Sequence, residues 1–127
     1  MTDSPLLLDS NVLIFLEQNP KRIPLSTLQR ISTAQHVFVS AVTAWELGIK
    51  QARGQLALAR PVSQLVSARS MIELPVTIQH GETVRSLPLH HHDPFDRMLV
   101  AQAMIEGLIF VTSDKFLLLY GIPTLLV

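Results

Sequence analysis

Apolar residues recur along this chain in short blocks, and polar or breaking residues close each block. Leu6-Leu7-Leu8 is followed at once by Asp9-Ser10-Asn11, a buried strand that runs into helix-capping residues. Residues 12–17 then read as helix, and Pro20 ends it. Residues 24–33 form a second helix with Leu25, Leu28 and Ile31 on one face. His36-Val37-Phe38-Val39 is a second strand ending at Ser40, which can cap a helix over 41–53, and Gly54 supplies a left-handed stop. Pro61 opens a helix over 62–70. Met71-Ile72-Glu73-Leu74 is a third strand, stopped by Pro75, and 77–87 is helical through Ile78, Val84 and Leu87. Asp93-Pro94 opens the best-bounded helix, with Asp at the cap, Pro in the first turn and Gly107 past the end. Leu108-Ile109-Phe110-Val111 is a fourth strand, Asp114 opens a short helix to Tyr120, and Thr124-Leu125-Leu126 is a short last strand.

Short, continuously apolar strands separated by helices specify an α/β fold with a mostly parallel sheet covered on both faces. A chain of 127 residues fits one domain over 1–127 and two poorly. In such sheets ligands sit beyond the carboxyl ends of the strands, where strand order reverses. Asp9, Ser40 and Asp114 fall at those ends.

Composition narrows the chemistry. There is no Cys, so disulfides and thiolate metal sites are excluded. Met1-Thr2-Asp3-Ser4-Pro5 lacks a basic leader region, and the apolar run from Leu6 to Leu16 is cut by Asp9, Ser10 and Asn11. Neither a signal peptide nor a membrane span is expected, and a cytoplasmic protein is. The net charge of zero hides an asymmetry. If Asp9, Glu46, Asp93, Asp96 and Asp114 lie in or beside one site, the rest of the chain carries twice as many bases as acids. An acidic pocket on a mildly basic body suits a phosphate-bearing substrate held next to metal ions.

Each acid has an alternative reading. Asp9 and Asp114 can cap the helices that follow them, and Asp93 before Pro94 is what an N-cap requires. Asp96, three residues on, can complete a capping box or turn into a cleft. Glu46 falls in the second turn of its helix, at the edge of an apolar stripe of Val42, Trp45 and Ile49. There it needs a partner, an Arg or Lys or a metal. If Asp9, Glu46, Asp96 and Asp114 converge, like charges about 4 Å apart repel by roughly 4 kcal/mol per pair at an effective dielectric near 20. Such a cluster must protonate or bind a cation. Oxygen ligands without Cys favour Mg2+ or Mn2+, which can activate a water and steady an in-line displacement at phosphorus. His90-His91-His92 invites zinc, but adjacent loop residues point in different directions, and the run reads instead as a polar loop leading to the Asp93 cap.

Four segments in order carry a resemblance. Leu7-Leu8-Asp9-Ser10-Asn11-Val12-Leu13 resembles the opening motif of PIN domains. Val39-Ser40-Ala41 to Trp45-Glu46-Leu47-Gly48-Ile49-Lys50 resembles their second acidic segment, Leu87-Pro88-Leu89-His90 to Asp93-Pro94-Phe95-Asp96-Arg97 the third, and Val111-Thr112-Ser113-Asp114 the fourth. The whole is most similar to VapC-like toxins of bacterial toxin–antitoxin pairs. The resemblance implies a three-layer α/β/α sandwich, Mg2+- or Mn2+-dependent cleavage of single-stranded RNA, inhibition by a cognate antitoxin, and a homodimer. By motif position it makes Asp9, Glu46, Asp96 and Asp114 catalytic metal-binding acids, with Asn11, Thr112, Ser113 and Asp93 in support. Lys50, Arg53, Arg97 and Lys115 flank the acidic motifs and are candidate RNA contacts.

Three other readings compete. A phosphatase with an aspartyl nucleophile on the first strand usually has a second Asp two residues on, where this chain has Asn11. A phospho-receiver domain needs paired acids at the end of its first strand, which are missing. A non-catalytic module binding metal, RNA or a partner is separated from an enzyme by turnover.

Overall fold

The structure is a computed structural model and describes residues 4–127. The expectation drawn from Met1 to Pro5 falls in part on Met1, Thr2 and Asp3, which lie outside the described residues. Five parallel strands form one sheet: β1 (Leu6–Leu8), β2 (Val37–Ser40), β3 (Ile72–Leu74), β4 (Ile109–Thr112) and β5 (Thr124–Leu126), in spatial order β3-β2-β1-β4-β5. Among the described residues, six α-helices fill the connections: α1 (Ser10–Gln18), α2 (Leu25–Thr33), α3 (Ala41–Ala52), α4 (Val62–Ala68), α5 (Ile78–Val84) and α6 (Pro94–Glu106). The chain builds outward from β1 through β2 to β3, then returns to β4 on the other side of β1. Strand order therefore reverses between β1 and β4, where Leu8 pairs with Val111.

Alternation along the strands divides the core into two layers. Leu6, Leu8, Val37, Val39 and Val111 face one side, against Val12, Leu13 and Leu16 of α1, Ile31 of α2 and Leu65 of α4. Leu7 and Phe110 face the other, against Leu99, Val100, Ala101 and Ala103 of α6. α3 crosses between them, giving Leu47 to the first layer and Val42 to the second. With both faces covered, every β1 side chain is fully buried, which is why the strand reads Leu-Leu-Leu without polar alternation.

Local departures from the sequence expectation have physical reasons. The apolar stripe expected at Val42, Trp45 and Ile49 faces the core only at Val42. α3 buries Val42, Thr43, Glu46 and Leu47, while Trp45 is 64% exposed and lies edge-on against Phe95. On α2, Ile31 is buried but Leu25 is exposed. The segment Lys115–Tyr120 is a 3-10 helix, and α5 ends at Val84. The α6 end is as expected, with Gly107 left-handed at φ 67. No helix among the described residues is long and apolar enough to cross a membrane.

Candidate active site

The carboxyl ends of β1 and β4 place Asp9 and Asp114 side by side at the strand-order reversal, and the starts of α3 and α6 bring Glu46 and Asp96 to the same end. Each acid resolves the choice between cap and ligand differently. Asp9 does both jobs. It is the N-cap of α1, with Oδ1 accepting from the Ser10 N–H at 2.7 Å, while Oδ2 accepts from Thr112 Oγ1 at 2.6 Å. Asp114 also divides its oxygens: Oδ1 caps through the Phe116 N–H at 2.9 Å, and Oδ2 lies 2.9 Å from His91 Nε2. Asp93 is a cap, its Oδ1 accepting from the Phe95 and Asp96 N–H groups at 2.8 and 3.2 Å. Asp96 is not the partner in a capping box, because the Asp93 N–H that it would bind goes to His91 Nδ1 at 3.1 Å. Its carboxylate turns into the cleft, where Oδ2 lies 3.6 Å from His91 Nε2.

Glu46 finds protein partners for both oxygens. Ser10 Oγ donates to Oε1 at 2.7 Å, and Lys50 Nζ, one turn further along α3, pairs with Oε2 at 3.0 Å. Ser10 also reaches Thr43 Oγ1 at 3.3 Å, and Thr112 Oγ1 accepts from the Asp114 N–H at 3.1 Å. A buried line of hydroxyls thus ties α1, α3 and β4 around the acids.

The electrostatics follow from burial and crowding. Asp9 is 3% exposed, and loss of water raises its carboxyl pKa. Hydrogen bonds from Thr112 and Ser10 oppose that rise, and the charges of Glu46 and Asp114 add to it. Asp96 is pushed up to about 8, first by burial and then by Asp9, Asp93, Glu46 and Asp114. Burial and four nearby negative charges make ionised Asp96 unfavourable near neutral pH.

A divalent ion would relieve this. His91, Asp96 and Asp114 each offer an atom within 4.8 Å of the others. The donor set is oxygen-rich with one imidazole in reach, and the raised carboxyls mark a place where positive charge is missing, so the residues fit a divalent cation.

The sequence pattern of the PIN domain family matches residues 6–119. This chain is a member of the PIN domain family. Ribonuclease VapC22 of Mycobacterium tuberculosis (strain ATCC 25618 / H37Rv) is 30% identical over 113 residues, 87% of each chain. VapBC2 from Rickettsia felis, solved bound to a DNA fragment from its promoter, superposes with a TM-score of 0.71 at 13% identity, covering 95% of this chain and 97% of that one. DNA-bound VapBC from Salmonella typhimurium gives 0.70 at 23% identity, over 96% and 97%. A toxin–antitoxin complex from Klebsiella pneumoniae gives 0.58 at 16% identity, over 87% of each. At these identities the solved structures speak for the PIN fold alone.

Within that family frame, Asp9, Glu46, Asp96 and Asp114 gather at one end of the sheet, Thr112 bridges Asp9 and Asp114, and Asp93 caps α6. Asn11 is exposed, and no hydrogen bond from the described residues reaches its side chain; Ser113 is half-buried beside Asp114. The candidate RNA contacts divide. Arg53 and Lys115 are exposed. Lys50 is paired with Glu46. Arg97 is engaged within the fold: its guanidinium donates to the carbonyls of Pro88 at 2.9 Å and Val84 at 3.0 Å and to Tyr120 OH at 3.2 Å, and so braces the loop before α6. Sequence reasoning missed His91 and Ser10. His91 was visible as part of His90-His91-His92, but which ring turned inward depended on the fold. Ser10 was legible only as a capping residue. A separate groove, about 620 Å3 and lined by Leu16, Leu25, Leu28, Ile31, Arg69 and Met71, opens by the starts of β2 and β3, away from these acids.

Proposed function

We propose that this protein is a divalent-metal-dependent endoribonuclease that cleaves phosphodiesters of single-stranded RNA, as the toxin of a toxin–antitoxin pair. The observation that carries the reading is the convergence of Asp9, Glu46, Asp96 and Asp114 at the strand-order reversal of a PIN fold, with Asp96 pushed up to about 8. The 30% identity to a mycobacterial ribonuclease over 87% of the chain supports the substrate class. The two VapBC structures among its neighbours support a cognate antitoxin as partner.

Asp9, Glu46, Asp96 and Asp114 would hold the ion. Mg2+ or Mn2+, when bound, supplies Lewis-acid activation of a water and of the phosphoryl oxygens. The protein's own groups do the rest. Thr112 and Ser10 fix the Asp9 and Glu46 carboxylates through their hydroxyls. Asp9 or Asp96, in its ionised form, takes the proton from the attacking water. Arg53, Lys115 and Lys50 are the proposed phosphate contacts. A homodimer in the cytoplasm completes the proposal.

Purified protein, freed of any co-purified partner, is incubated with total RNA and Mg2+ or Mn2+. Discrete fragments that vanish with EDTA and with Asp96→Ala are expected. A folded protein that binds metal and leaves RNA intact at low enzyme-to-substrate ratio would make it a binding module instead.

A further inference from the structure

Proximity alone would make His91 a metal ligand, since its Nε2 lies among the carboxylate oxygens of Asp96 and Asp114. The other side of the ring argues against that. His91 Nδ1 accepts the Asp93 backbone N–H at 3.1 Å, and only an unprotonated ring nitrogen can accept. The ring proton therefore sits on Nε2 and points at Asp114 Oδ2, 2.9 Å away. Ligation through Nε2 needs that nitrogen bare. The proton would then move to Nδ1 and meet the Asp93 N–H donor to donor. Ligation through Nδ1 would break the bond that starts α6.

The backbone beneath the ring is fixed as well. The His91 N–H donates to Tyr120 OH at 3.1 Å, and the same oxygen accepts from Arg97. Arg97 in turn binds the carbonyls of Val84 and Pro88, so the loop reaching His91 is tied to α6 at several points. The rings of His90 and Tyr120 meet edge-on at 5.1 Å. Both oxygens of Asp114 are consequently anchored, Oδ1 by Phe116 and Oδ2 by His91. Asp96 receives no such bond from the described residues.

We infer that His91 is a positioning residue that donates its Nε2–H to Asp114 and orients that carboxylate toward the ion, and that it is not itself a ligand. The Arg97–Tyr120 brace holds His91 in place. Carboxylate ligands are commonly held by a donor of this kind, and loss of one typically weakens metal binding by about 10- to 100-fold. The inference rests on the proposed metal site for its consequence but not for its geometry.

Two measurements test it. In metal-free, 15N-labelled wild-type protein, long-range proton–nitrogen spectra of His91 should show a protonated Nε2 and a bare Nδ1, and Mg2+ should leave that pattern unchanged. The opposite tautomer, or loss of the Nε2 proton on adding Mg2+, would overturn it. In calorimetry with Mn2+, His91→Ala should bind at least about tenfold more weakly. His91→Gln, whose amide can still donate to Asp114, should stay within about threefold of wild type, well inside that loss. Equal loss in both variants, or loss in neither, sinks the positioning role. The ring spectrum needs neither metal nor RNA. A wild-type protein that shows the stated tautomer but binds no Mn2+ therefore overturns the proposed function and, with it, this consequence of the tautomer, while one that binds and cleaves with the wrong tautomer overturns only this inference.

Discussion

Two groups of buried polar side chains lie at different places in this molecule, and their difference separates a structural network from a reactive one. One joins α5 to α6. His80 is fully buried, yet both ring nitrogens are occupied: Nδ1 accepts the Thr77 N–H at 3.0 Å, and Nε2 lies 2.8 Å from Glu106 Oε2. Gln102 donates to the Pro75 carbonyl at 3.2 Å alongside. A half-exposed carboxylate meets a ring donor, and the charge has an outlet to solvent. The other group is the acid cluster. There the hydrogen bonds fix the positions of Asp9, Glu46 and Asp114, but Asp96 is buried and crowded by like charges, and its carboxyl moves to about 8. Burial is common to both groups; the missing positive charge belongs to one. The α5–α6 network pairs its charge as folded, and among the described residues Gln102 Oε1 is left as a buried acceptor without a partner, while in the acid cluster the proposed cation would supply the charge that balances the carboxylates.

Substitutions should separate the two groups cleanly. The largest effect expected is for Asp96→Asn, which removes a ligand and proton acceptor. It should lower RNA cleavage by at least about 10²-fold and yet raise the melting temperature of the metal-free protein, because a neutral amide ends the repulsion. A fall in both would place Asp96 in the structural class. His80→Ala should do the reverse. It strands the Thr77 N–H and the Glu106 carboxylate and opens a cavity, so urea unfolding should show a loss of about 2–4 kcal/mol, with cleavage per folded molecule retained. Thr112→Val stands between them. Removing the hydroxyl that donates to Asp9 should cost about 1–2 kcal/mol and raise the Asp9 carboxyl further.

A pH series sharpens the same contrast with a smaller effect. The folded-state pKa of Asp96 is raised from the ordinary 3.8 to about 8, so between those values the native state holds a proton that the unfolded chain has released. Stability of the metal-free protein is therefore favoured at low pH by this group and falls as pH rises from about 4 to about 8. Asp9 is shifted in the same direction and adds to the slope. Thermal melts across that range should show the decline in wild type and a shallower one in Asp96→Asn. A saturating divalent ion should remove it.

Much of this was legible in the sequence because the rules involved are local. Leu6-Leu7-Leu8 reads as a doubly buried strand, and Asp9 and Asp114 read as polar residues at strand ends, since both follow from a few adjacent residues. Asp93-Pro94 and Gly107 bound α6 as their cap preferences require. What escaped depends on distant partners. His91 meets Asp114 across 23 positions, and nothing local says which of three adjacent histidines turns inward. Arg97 flanks Asp96 in sequence, but its partners are backbone carbonyls, which carry no sequence signature, and the distant Tyr120 hydroxyl. Trp45 was expected toward the core from periodicity alone. α3 instead turns Glu46 inward to meet Ser10, and that rotation leaves the indole outside.

The most direct test of the central claim is calorimetric titration of the metal-free protein with Mn2+ at several pH values, for wild type and Asp96→Asn. If the acid cluster is a cation site held out of balance, wild-type affinity should rise about tenfold per pH unit up to about pH 8. Binding should release about one proton per ion in that range, and Asp96→Asn should bind weakly with little pH dependence. No binding by wild type, or equal binding by both proteins with no proton released, would contradict it.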